Sequence, residues 1–116
     1  MKSSLLIDFK LAKKKLGDWG HKNPLISALV VYGSHVRKTA NEKSDFDIAV
    51  VVETEPGDED QLATFWYHED EWKEELRQLL NFSNVDLQWY GGDETPRVKA
   101  GIEESKIVVY DKIGIF

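Results

Sequence analysis

A chain of 116 residues, with 21 acidic against 15 basic residues and a formal charge of −6, has room for one small domain spanning 1–116 and none for a second. Its 41% hydrophobic content, including four Trp, five Phe and four Tyr, suffices for one packed core and excludes compositional disorder. The absence of cysteine excludes disulfides, thiol nucleophiles and Cys-based metal sites, while the acidic balance argues against non-specific binding to nucleic acid.

The chain opens with Leu5, Phe9, Ala12, Leu16 and Trp19 at steps of three or four, and lysines lie mostly elsewhere around the wheel. That spacing predicts an amphipathic helix. Gly17, Gly20, Asn23 and Pro24 break the pattern before a buried strand over 25–32, which Gly33 stops. A polar stretch, SHVRKTANEKS, leads into a second strand over 46–52, apolar on both faces beyond its first residues and therefore central.

The acid-rich turn TEPGDED follows, with Asp58 or Asp60 placed to cap the next helix. Leu62, Phe65, Trp66, Trp72, Leu76, Leu79 and Leu80 then form the stripe of a long helix, on which His68 is expected to face water. NVDLQWY alternates Val85, Leu87 and Trp89 against Asp86, Gln88 and Tyr90, as a half-buried strand does. GGDETP turns the chain into a short helix over 97–104, and IVVY makes a last strand. The fold class expected is α/β (α+β), a central mixed sheet flanked by helices.

No apolar run reaches the roughly 18 residues needed to span a bilayer, and the first sixteen residues lack a signal-peptide core, so the expected location is cytoplasmic, with no membrane. His21, His35 and His68 show no helical ligand spacing, so any metal must be held by carboxylates. The acids at 53, 55 and 58–60 fall in a turn and are read as surface charge.

The informative stretch is Gly33 and Ser34, ten residues, then Asp45 and Asp47, with a strand before the first pair and another through the second. Those four residues recur by chance in a chain this long on the order of once in 10³. Asp45 and Asp47, at i and i+2 on a strand, project from one face, and Asp86 joins them if its strand lies alongside. Three acids without a neutralising base in nearby sequence suit Mg²⁺, which takes oxygen ligands and leaves positions for water and phosphate. Gly33 lets a polyphosphate approach the backbone, Ser34 adds a hydroxyl donor, and Arg37 and Lys38 fall where they can meet phosphate charge. His35 lies inside this loop and is read chiefly as structural. The last hydrophobic residues, Ile113, Ile115 and Phe116, are left unassigned.

On these residues the chain resembles the polymerase-beta-like nucleotidyltransferases. Within them it looks like the minimal nucleotidyltransferases (MNT), the antitoxin components paired with HEPN-domain proteins. The family signature, Gly-Ser, ten residues, Asp-x-Asp, is matched by Gly33, Ser34, Asp45 and Asp47, and its third Asp by Asp86. Two departures stand out: His35 and Val36 replace a usual Arg-Ala, and Lys38 stands where Gly is usual.

The resemblance implies a polymerase-beta-like fold and transfer of a nucleoside monophosphate, AMP from ATP, to an acceptor hydroxyl. It implies two Mg²⁺ ions on the three catalytic aspartates and the tyrosine of a HEPN toxin as acceptor. The alternative, motivated by small size, is a non-catalytic nucleotide-binding module that neutralises or scaffolds a helical partner.

Overall fold

In a computed structural model, residues 8–41 and 43–116 are described, and their elements run α1 (Phe9–Lys22), β1 (Ile26–Tyr32), α2 (Ser34–Arg37), β2 (Phe46–Val52), α3 (Gln61–Leu80), β3 (Val85–Trp89), α4 (Pro96–Glu104) and β4 (Lys106–Asp111). A single 3-10 turn, Gly92–Glu94, precedes α4. Leu5, the first residue of the expected stripe, lies outside the described residues.

The two longest helices, α1 and α3, begin where a side chain takes up orphan amide groups. Asp8 accepts from the Lys10 and Leu11 N–H groups at 3.1 and 3.2 Å, and Asp60 accepts from Ala63 at 2.9 Å. Asp58 has a different task, accepting the Thr64 hydroxyl at 2.7 Å. The long helix ends at Asn81, which takes the left-handed conformation that commonly closes helices.

The four strands form one mixed sheet in the order β3-β2-β1-β4, with β2 and β3 parallel and the other pairs antiparallel. Central position explains why β1 and β2 are apolar on both faces: apart from Asp47, every residue of both strands is buried. Alternation then assigns two faces. Leu29, Val31, Ile48, Val50, Val85 and Leu87 meet α1 and α3, while Val30, Tyr32 and Ala49 meet Ile102 and Val98 of α4. The first face holds the larger core, in which Trp72 of α3 meets Trp19 of α1 edge-on at 6.2 Å. Among the described residues, no helix is long and apolar enough to cross a membrane.

Two expectations on α3 are corrected. Trp66 is 67% exposed and Tyr67 beside it 81%, because Phe65 and Trp72 occupy the inward positions of their turns. His68 does not point freely into water. Its ring stacks on Trp72 at 4.8 Å and Nε2 meets Glu55 Oε1 at 2.9 Å, and these carboxylate bonds raise its pKa. The acidic turn is consequently tied down by Glu55 to His68, Asp58 to Thr64, and an ion pair of Glu53 with Lys112.

Candidate active site

Gly33 ends β1 with φ +85° and ψ −158°, a backbone region open essentially to glycine alone. A Cβ built there would collide with Oδ2 of Asp47. The glycine therefore both turns the chain into α2 and admits the carboxylate. At the head of α2 the first N–H groups, those of Ser34 and His35, have no carbonyl one turn back to bond, and Ser34 is half-buried beside them.

The turn is anchored from below by His35. Its ring lies edge-on to Phe46 at 5.4 Å and to Phe82 at 5.6 Å, and Nε2 contacts the Ser44 carbonyl at 3.3 Å. A buried imidazole packed in this way serves the loop and does not reach its outer surface. Lys38 closes the turn in the left-handed region, φ 64° and ψ 31°, with its N–H donating to the Ser34 and His35 carbonyls. That conformation gives a physical reason for a glycine at the position, since a side chain there costs roughly 1–2 kcal/mol.

Phe46 enters the core between Asp45 and Asp47, which fixes both acids on the opposite side of the strand. Parallel pairing sets Asp47 directly beside Asp86, so the strand expected to carry the third acid lies alongside. One carboxylate oxygen from each of Asp45, Asp47 and Asp86 comes within 4.8 Å of the others. Asp45 is exposed, and the other two are half-buried.

Crowding of like charge is visible in the protonation chemistry. Burial, then repulsion and a shared hydrogen bond with Asp86, then repulsion from Asp45, push the Asp47 carboxyl from an ordinary 3.8 up to about 6, while Arg37 pulls it down. Gln88 Nε2 donates to Asp86 Oδ1 at 3.0 Å, steadying that carboxylate. Such a cluster either shares a proton or takes up a cation, and three carboxylates offer the hard oxygen donors that a divalent ion such as Mg²⁺ prefers.

The loop cations are divided. Arg37 lies close enough to influence Asp47, yet its guanidinium pairs with Glu104 of α4 at 3.1 Å. Lys38 is exposed on the outer side of the turn. Two further residues join the site without a sequence signal of their own. Tyr32 pairs in register with Asp47 and Lys106 with Tyr32, so both stand in the row of the acids. Burial, then Asp47 and Asp86, raise the Tyr32 phenol well above its usual range. Adjacent Gly33 marks the end of β1, but cross-strand register is not readable from one strand.

A family model described as polymerase beta, nucleotidyltransferase, matches residues 14–113. No curated protein matches the chain. Among solved structures, a crystal structure of a toxin-antitoxin with AMP-PNP superposes with a TM-score of 0.55 at 20% identity, covering 90% of this chain and 74% of that one. At this identity the likeness is one of fold. A structure from Sulfolobus solfataricus, assigned as a nucleotidyltransferase, gives a TM-score of 0.47 at 21% identity over 85% of this chain and 76% of that one.

Proposed function

The chain belongs to the polymerase beta nucleotidyltransferase family, and from that premise we propose that it moves AMP from ATP onto an acceptor hydroxyl in a Mg²⁺-dependent reaction. The observation that carries this reading is the convergence of Asp45, Asp47 and Asp86, with oxygens within 4.8 Å of one another, where burial and then the neighbouring acids raise the Asp47 carboxyl. Bound by these three aspartates, two Mg²⁺ ions would offset the charge of the triphosphate and of the transition state.

The chain's own groups divide the remaining work. Backbone at Gly33 and the Ser34 hydroxyl seat the triphosphate, and Arg37 and Lys38 flank it with positive charge. Asp86 takes the proton of the acceptor hydroxyl. The acceptor oxygen forms a bond to the α-phosphorus as the bridge to the β-phosphate breaks, and pyrophosphate leaves with the bonding electrons.

The acceptor in this reading is a tyrosine of a HEPN-type helical protein, with this chain as its antitoxin in the cytoplasm. A fold neighbour that is a toxin-antitoxin with AMP-PNP supports it, as does the resemblance carried by the Gly33 to Asp47 motif. The test is to incubate the chain with Mg²⁺, ATP and the helical protein of the neighbouring gene, then map the product by mass spectrometry. The expected result is one or more AMP groups on tyrosine, lost when Asp45→Asn and Asp47→Asn are combined. Neutralisation of the partner by that double variant, without modification, would instead establish the binding-module reading.

A further inference from the structure

Lys106 opens β4 and pairs in register with Tyr32, Tyr32 pairs with Asp47, and Asp47 with Asp86. Directly paired residues project from the same face, so these four side chains form one line across the full width of the sheet. Acids stand at one end and a lysine at the other. With strands about 4.8 Å apart, Lys106 lies two spacings from Asp47, roughly 10 Å at the backbone. That is too far for a direct ion pair with the acids but within reach of a charged group extending from them.

The surroundings leave the ammonium uncommitted. Among the described residues no carboxylate forms an ion pair with Lys106; its Nζ rests over the Phe116 ring, 5.7 Å from the centroid. The residue between it and the acids is Tyr32, whose buried ring packs in the apolar cluster with Ile102, Ala49 and Phe116. The buried Tyr32 ring thus lies between the acid site and the Lys106 ammonium. Glu104, two residues earlier, holds Arg37.

Resting on the nucleotidyltransferase reading above, we propose that Lys106 is a positioning residue for the nucleotide's polyphosphate: with the α-phosphate at the three aspartates, its ammonium leaves Phe116 and binds the phosphates beyond, holding the pyrophosphate as it departs. An ammonium on a phosphate is a charge-assisted hydrogen bond, and the cation–π contact of the exposed Lys106 with the half-buried Phe116 ring is weak enough to be exchanged for it. A lysine on an edge strand also discourages strand addition from other molecules, and that role alone makes a different prediction.

The test is calorimetry on the full chain in Mg²⁺, with AMP-PNP, inorganic pyrophosphate and AMP titrated in turn. Lys106→Gln is expected to weaken AMP-PNP and pyrophosphate about tenfold while AMP changes less than about twofold, and Lys106→Arg to retain most of the affinity. Equal binding of all three by wild type and Lys106→Gln, or equal weakening of AMP, overturns the inference and leaves the nucleotidyltransferase reading standing. A wild-type chain that binds neither AMP-PNP nor pyrophosphate overturns both. An edge-guarding lysine predicts self-association of the Gln variant with unchanged ligand preference, which light scattering on the same samples detects.

Discussion

The Asp47 carboxylate occupies the space that a side chain on Gly33 would fill. Neither residue can be understood alone: the strand-ending turn takes a backbone conformation reserved for glycine, and that same glycine is what lets an acid of the neighbouring strand lie against it.

Gly33→Ala therefore meets two penalties, a forbidden backbone region and a collision with Asp47 Oδ2. The backbone strain is on the order of 1–3 kcal/mol. The expected outcome is a lower melting temperature together with loss of Mg²⁺-dependent AMP-PNP binding. Circular dichroism melts and calorimetry on one preparation measure both.

Asp47→Asn should stabilise the protein in the absence of metal. The folded Asp47 carboxyl binds its proton at about pH 6 and the unfolded one near 3.8, so between those values the folded state holds more protons. Stability consequently falls as pH rises through that window, and the ionised form is the one folding disfavours. Removing the charge should raise stability at pH 8 by on the order of 1 kcal/mol, after discounting for partial exposure. At pH 3 the two proteins should melt alike with respect to this group. Added Mg²⁺ should raise the melting temperature of wild type and not of the variant.

Cation binding must displace the proton that Asp47 retains, so affinity for Mn²⁺ or Mg²⁺ should fall as pH drops through about 6. Titrations in buffers of different ionisation enthalpy should register proton release on binding near that pH, and none near pH 8.5.

Lys38→Gly should stabilise the turn by about 1 kcal/mol, since Lys38 sits at φ 64° with its side chain exposed. Denaturant unfolding reads the gain. Arg37→Ala, by contrast, removes an exposed ion pair with Glu104, worth little in stability. Its effect should appear in the site: losing the cation that pulls Asp47 down moves the pH midpoint for metal binding upward.

Most of the fold was legible because local signals agreed with tertiary ones. β1 and β2 are central, and their unbroken apolar runs announced it; α3 was capped and striped over its whole length. Trp66 misled because an aromatic at a stripe position was read as inward, whereas Phe65 took that place. His68 misled because its partner Glu55 lies in the preceding turn, a contact made only on folding. In the site, Gly33, Ser34, Asp45 and Asp47 were close in sequence and readable as a motif. Asp86 depended on β3 lying next to β2, and Tyr32 and Lys106 on cross-strand register, neither of which a single strand encodes.

Transfer of a nucleotidyl group at the three aspartates is tested most directly by supplying ATP labelled at either the α- or the γ-phosphate, with Mg²⁺ and the proposed helical partner. The expected result is label in the partner from α-labelled ATP alone, release of the γ label as pyrophosphate, and neither with Asp45→Asn and Asp47→Asn combined. Label from the γ position, or α-label transfer undiminished in the double variant, would contradict it.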